Sequence, residues 1–170
     1  ANFVSGIVLL FERPIRIGDM VTIGDRMGTV SRIRIRSTTL VDWDRREIVI
    51  PNKTLITEHL VNWTLTDPIT RTTIRVGVAY GSDVALTEKL LLEIAAANCK
   101  VLEDPAPAAW FLRFGDNTLD FELRVFVSGI GELIIVTHEI NVAIERTFRE
   151  HGIEIAFPQR DLHFDSKPIQ

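Results

Sequence analysis

The sequence predicts a mixed α/β chain built from two small domains, and three observations carry that prediction. Residues 20 to 51 alternate apolar and polar side chains in short runs broken by turn residues, the rhythm of a small antiparallel barrel or sheet. From Thr73 onward the pattern becomes strand, helix, strand, strand, helix and a last extended stretch. Ahead of both, Phe3 to Phe11 is almost wholly apolar and runs directly into a basic, Pro-containing collar, Glu12-Arg-Pro-Ile-Arg-Ile-Gly-Asp19.

That first segment is too short to cross a bilayer alone. Nine residues rise only about 14 Å as a helix, whereas roughly 20 residues are needed to span hydrocarbon. Two readings stay open on the residues alone: the last turns of a spanning helix, or a short element buried in a protein interior. No 18-residue apolar run exists and no charged leader precedes a cleavage site, so the chain as written reads as soluble. A composition of 46% apolar and 25% charged residues over 170 positions is that of a folded protein and excludes disorder.

In the first domain the expected strands are Met20 to Ile23, Thr29 to Ile35, Ser37 to Val41 and Glu47 to Ile50. A turn over Gly24-Asp-Arg-Met-Gly28 joins the first two, and a polar tip from Asp42 to Arg46 joins the last two. Side chains alternate along a strand, so Ile33 and Ile35 face one way and Arg32, Arg34 and Arg36 the other, which makes a basic stripe. Such a stripe suits phosphate groups or a neighbour's carboxylates, or is simply a solvated face. Pro51-Asn52 stops the last strand, Lys53 to His59 reads as a brief helical turn, and Leu60 to Trp63 resumes an extended course. Thr66-Asp67-Pro68 marks a boundary.

In the second domain a half-buried strand runs from Thr73 to Tyr80. Gly81-Ser82 then opens a helix with Ser82 as N-cap and an apolar stripe of Val84, Leu86, Leu90, Leu91, Ile94 and Ala95, ending near Asn98. Trp110 to Phe114 and the cleanly alternating Leu119 to Val127 are strands flanking a Gly115-Asp116-Asn117 turn. A second helix carries Ile135, Ile140, Val142, Ala143, Ile144 and Phe148 to a Gly152 stop, after which Ile153 to Phe157 and Leu162 to Phe164 are extended. The β-α-β-β-α-β order suggests a ferredoxin-like α+β sandwich, one sheet covered by two helices.

Charge and chemistry narrow the function classes. The net charge is −4, and residues 71 to 170 hold ten Lys/Arg against fifteen Asp/Glu, a balance that argues against general nucleic-acid binding. The single Cys99 allows no internal disulfide, suits a reducing compartment, and is expected to be packed or idle. His59, His138, His151 and His163 are dispersed without the i, i+4 spacing of a zinc helix, and no Ser-His-Asp arrangement or phosphate-binding glycine loop is present. Asp42, Asp44 and Glu47 at the hairpin tip are interleaved with Arg45 and Arg46 and read as self-compensated. An enzyme, a metal centre and a cofactor site are therefore not expected.

The blocks Asn2-x-x-Ser-Gly6, Glu12-Arg-Pro-Ile-Arg-Ile-Gly-Asp19, Gly28-Thr-Val, Ser37-Thr-Thr, Val49-Ile-Pro-Asn52, Gly77-Val-Ala-Tyr80 and Phe157-Pro-Gln-Arg160 occur in order along nearly the whole chain. With them the sequence closely resembles the small-conductance mechanosensitive ion channel (MscS-like) family. The resemblance implies a short amphipathic helix over residues 1–14 that ends the pore-lining helix, an Sm-like small β-barrel domain over 15–67, and the ferredoxin-like domain over 68–170. It implies the cytoplasmic portion of a bacterial inner-membrane channel, a homoheptamer around a water-filled vestibule, with the lipid bilayer and permeant ions and small solutes as partners. Asn2 and Gly6 match the family's pore-helix pattern, while Phe11, Arg13, Pro14 and Arg16 match its membrane junction. Trp43 and Arg45-Arg46 depart from the family's usual small hairpin turn. The competing expectation is an oligomeric RNA- or ligand-binding module that uses the barrel and the stripe of Arg32, Arg34 and Arg36.

Overall fold

A computed structural model describes residues 4, 7, 8 and 11–160. They divide into two compact units, one running up to Thr70 and taking in Ser128–Ile130, the other made of Arg71–Val127 and the residues from Gly131. Among the described residues no helix is long and apolar enough to cross a membrane.

The first unit is a five-stranded sheet with one short helix: β1 (Met20–Ile23), β2 (Arg26–Ile33), β3 (Ser37–Val41), β4 (Glu47–Pro51), α1 (Asn52–Thr57) and β5 (Leu60–Asn62). The strand order is β4-β3-β2-β1-β5, with antiparallel neighbours throughout. Period-two alternation sends Val21, Ile23, Val30, Leu40 and Ile50 into one core, where Ile15 and Leu55 join them. The β1–β2 connection is shorter than the sequence suggests. Ile23 pairs directly with Arg26, so the turn is only Gly24-Asp25, and Gly28 lies within β2. Gly28 is there for closeness rather than for turning: a Cβ on it would sit 2.8 Å from the Val41 carbonyl oxygen across the β2–β3 pair.

The basic stripe is corrected too. β2 stops at Ile33, and its pairing with β3 slips between Val30 and Arg32. The slip places Ser31 as an extra residue whose hydroxyl donates to the Thr39 carbonyl at 3.1 Å. Arg34 and Arg36 then belong to the turn leading into β3, so strand alternation does not align them with Arg32. The physical cause is Asn52, fully buried at the start of α1. Its amide donates to the carbonyls of Arg34 (2.8 Å) and Ile35 (3.0 Å) and accepts from the Thr38 hydroxyl at 2.9 Å. Those carbonyls are thereby engaged by a side chain instead of a strand neighbour.

The second unit contains β6 (Thr70–Val78), α2 (Val84–Ala97), β7 (Ala108–Phe114), β8 (Leu119–Val127) and α3 (Leu133–Glu150), with a 3-10 turn at Ile130–Glu132 leading into α3. The three strands lie in the order β6-β8-β7. The stretch after α3 adds to β6 through one antiparallel bridge, Val78 to Ile155, with Ala79 N–H on the Glu154 carbonyl and Ala156 N–H on the Gly77 carbonyl, both at 2.9 Å. Ile74, Val78, Phe121, Leu123 and Val125 pack with Leu90, Leu91, Ile94, Val136, Ile140, Ile144 and Phe148 into one core. The expected strand over Leu162 to Phe164 lies outside the described residues.

Three local expectations change. Asp83, not Ser82, caps α2, because its carboxylate accepts from the Leu86 N–H at 3.0 Å while Ser82 sits one residue too early. On α3 the buried line is Val136, Ile140, Ile144 and Phe148, repeating every four residues, so Ile135 and Val142 fall off the core face and are 43% and 54% exposed. Cys99 is exposed, so it is not a packed thiol.

Candidate functional site at the junction turn

Residues Val4, Ile7, Val8, Phe11 and Glu12 are helical. Val4, Ile7, Val8 and Phe11 follow the i, i+3, i+4, i+7 spacing of a single helix face. That face is largely exposed: Val4 and Phe11 are 63% and 85% exposed, Ile7 is also exposed, and Val8 is half-buried. The buried-element reading of this segment is thus overturned for its described residues. Asn2 and Gly6 lie outside the described residues.

After Glu12 the backbone turns sharply. Arg13 adopts φ 47°, the left-handed region that costs an ordinary residue about 1–2 kcal/mol, and Pro14 then fixes the next φ and withholds an N–H. Side chains now separate by direction. Ile15 is buried in the first core, Asp19 is buried, and Arg13, Arg16 and Ile17 are exposed. Gly18, at φ 95°, lets the chain fold back so that its N–H reaches the Val30 carbonyl at 2.8 Å, and Val30 returns the bond to the Asp19 carbonyl at 2.8 Å.

Asp19 is the centre of this turn. One carboxylate oxygen, Oδ2, accepts from the Arg16 backbone N–H and from Asn62 Nδ2, each at 2.8 Å, while Oδ1 accepts from the Thr64 hydroxyl at 3.2 Å. Asn62 also donates to the Pro14 carbonyl at 3.0 Å, and its own Oδ1 accepts from the Thr64 N–H at 3.0 Å. The last residue of β5 and Thr64 just past it therefore grip the collar at Pro14 and at Asp19. The sequence singled out Phe11, Arg13, Pro14 and Arg16 but missed Ile15, Asn62 and Thr64. Asn62 carried a usable signal: an amide inside the apolar run Leu60-Val-Asn-Trp63 needs partners if buried.

Of the proposed basic stripe, Arg32 is engaged by the Glu47 carboxylate through two bonds of 3.0 and 2.9 Å. At the hairpin tip Arg46 reaches Asp42 at 2.8 Å and Asp44 at 3.0 Å. The Arg46 backbone N–H, then its guanidinium, hold the Asp42 carboxyl below the usual range. Compensation at the tip thus comes from Arg46 and Arg32; Arg45 instead takes the positive-φ turn position, at φ 65°.

On the second unit, Glu122 is buried on β8 between Arg124 (2.6 Å) and Arg75 (3.3 Å), and the Arg124 guanidinium chiefly keeps its carboxyl low. The neighbouring Asp120 is lowered first by the Thr118 hydroxyl and then by Arg113. Arg75, Glu122, Arg113 and Asp120 line a groove of about 510 Å³ with Val76, Gly77 and Leu112.

Residues 1–65 match the family model described as mechanosensitive ion channel, beta-domain, and residues 72–155 match that of the MscS C-terminal domain. The chain is 50% identical over 166 residues to the mechanosensitive channel MscK of Escherichia coli K12, covering 98% of this chain and 15% of that protein. It is 39% identical to the miniconductance mechanosensitive channel MscM of the same organism, again spanning 15% of its length. Against the small-conductance mechanosensitive channel of Edwardsiella ictaluri the identity is 31% over 163 residues, covering 96% of this chain and 56% of that one. The closed-state crystal structure of Helicobacter pylori MscS superimposes with a TM-score of 0.90 at 25% identity, over 98% of this chain and 65% of that chain.

Proposed function

Because the chain belongs to the MscS family of mechanosensitive ion channels, we propose that it is the part of such a channel that follows the pore-lining helix, opening under membrane tension to release ions and small solutes. In this reading residues 1–14 end the pore helix, 15–67 form an Sm-like domain and 68–170 a ferredoxin-like domain. The strand order β4-β3-β2-β1-β5 supports the first assignment, and the order β6-β8-β7 with the added edge at Val78 supports the second. Seven copies assemble around a vestibule on the cytoplasmic side of a bacterial inner membrane.

The observation that carries the reading is the sorting of side chains at the junction. Phe11, Arg13, Arg16 and Ile17 are all exposed while Ile15 and Asp19 are buried in the first unit. Exposed apolar groups beside arginines suit the interface of a bilayer, where guanidinium groups meet headgroup phosphates and the stems lie on apolar surface. Tension performs work as a pore gains in-plane area, so it favours the wider state and no nucleotide is required.

Full-length protein reconstituted in liposomes conducts when suction is applied to a patch. Silence up to the lytic tension would refute the reading. The RNA-binding alternative loses its motif, since Arg32 is held by Glu47 and β2 ends before Arg34 and Arg36. Filter binding at low salt gives no steeply salt-sensitive RNA affinity.

A further inference from the structure

We infer that Asn62 and Asp19 are positioning residues for gating: they hold the Pro14 carbonyl so that the segment ahead of it leaves the first unit along one fixed path. This rests on the channel reading above. Backbone pairing alone joins β5 to β1, with Asn62 opposite Val21, so the Asn62 side chain is not needed for the sheet. It is nevertheless fully used. Both amide hydrogens are spent, one on Pro14 and one on Asp19, and the amide oxygen takes the Thr64 N–H. A flipped amide would set oxygen against the Pro14 carbonyl, so its orientation is determined.

Asp19 adds a second argument. Asp19 as a whole residue is only 8% exposed, and the hydrogen-bonding partners of its carboxylate among the described residues are neutral donors: the Arg16 N–H, the Asn62 amide and the Thr64 hydroxyl. Burying a carboxylate without a counter-charge is costly, and a neutral side chain would suffice merely to close a turn. What the charge supplies is strong, directional bonds. They lie next to Arg13, whose left-handed φ of 47° directly before a proline is doubly unfavourable and persists only if its surroundings enforce it. A strained residue and a charged clamp thus meet where force from the pore helix would arrive.

The test is the tension–response curve of full-length channels in liposome patches. Asn62→Ala and the nearly isosteric Asn62→Asp, which cannot donate to Pro14, lower the tension midpoint. At the wild-type midpoint the open-to-closed ratio rises about fivefold or more, the factor one lost hydrogen bond represents. Single-channel conductance stays at the wild-type value. Thr64→Val, which removes one Asp19 donor and the acceptor of the Met20 N–H but spares the bond to Pro14, gives a smaller shift in the same direction and covers the case in which Asn62→Ala fails to fold. Leu40→Val, in the core of the same unit, serves as the stability-matched control and leaves the midpoint in place. An unchanged or raised midpoint in the Asn62 variants, an altered conductance, or an equal shift from Leu40→Val overturns the inference. If wild-type patches stay silent, the channel reading falls and takes this inference with it; conducting wild type with unshifted variants defeats the inference alone.

Discussion

Two asparagines, Asn52 and Asn62, do much of the organising in the first unit, and both act on backbone carbonyls. Asn52 is wholly buried and satisfies the Arg34 and Ile35 carbonyls while accepting from Thr38. Without it those carbonyls lose their side-chain donor and the fully buried Thr38 hydroxyl loses its acceptor, and each unsatisfied buried group costs about 1–3 kcal/mol. Asn52→Ala is accordingly expected to destabilise the first unit by about 2–3 kcal/mol in urea unfolding. Asn52→Asp does the same or worse, because an acceptor replaces the donor facing two carbonyls. The sequence marked Asn52 as part of a strand-stopping Pro-Asn pair, but its long-range partners could not be read locally, since they lie about eighteen residues upstream.

Among the elements, the α2 end and α3 show how a polar latch adds to apolar packing. Glu139 on α3 meets the Lys100 ammonium at 2.5 Å and the Asn98 amide at 2.8 Å, just past the end of α2. The Lys100 contact, then Asn98, hold the Glu139 carboxyl below its ordinary 4.5, and Glu139 in turn raises Lys100. A carboxyl lowered in the folded state contributes stability above its unfolded value that is lost as pH falls through the folded one. Lys100→Met is therefore expected to lower stability in the neutral range and to flatten its loss below about pH 4.5 in acid unfolding curves, leaving the acid limb less affected than the neutral range. At the collar, the exposed Arg13 and Arg16 predict salt-dependent binding to vesicles containing anionic lipid. Replacing both by glutamine weakens sedimentation with such vesicles by about fivefold per arginine, as roughly 1 kcal/mol per basic residue implies. Strand existence was legible wherever alternation was strict, as in β8, whose bounds match the expected Leu119 to Val127. What alternation cannot register is a slipped pair or a side chain taking over backbone acceptors, and so the end of β2 was misplaced. Helix phase was misread on α3 for a related reason: Ile135 and Val142 are apolar, but the four-residue repeat beginning at Val136 decides which face is buried.

For the whole chain, charge is divided as unevenly as structure. Residues 71 to 170 hold the acidic excess, and Arg75, Arg113, Arg124 and Lys100 are engaged by only three of its carboxylates, Glu122, Asp120 and Glu139. In the proposed channel the surplus carboxylates give a mild preference for cations, read as a reversal potential under a KCl gradient, which shrinks as ionic strength shortens the screening length to about 3 Å near 1 M. The chain spans 15% of the MscK and MscM sequences. One detail of the collar has a mechanical corollary. Only Pro14 separates Arg13 from Ile15, which is sunk in the hydrophobic interior at 2% exposure. There is no slack between them, so in the proposed channel a pull at Phe11 reaches the packed centre of the sheet almost at once, which makes the first unit a stiff mount and not a leash.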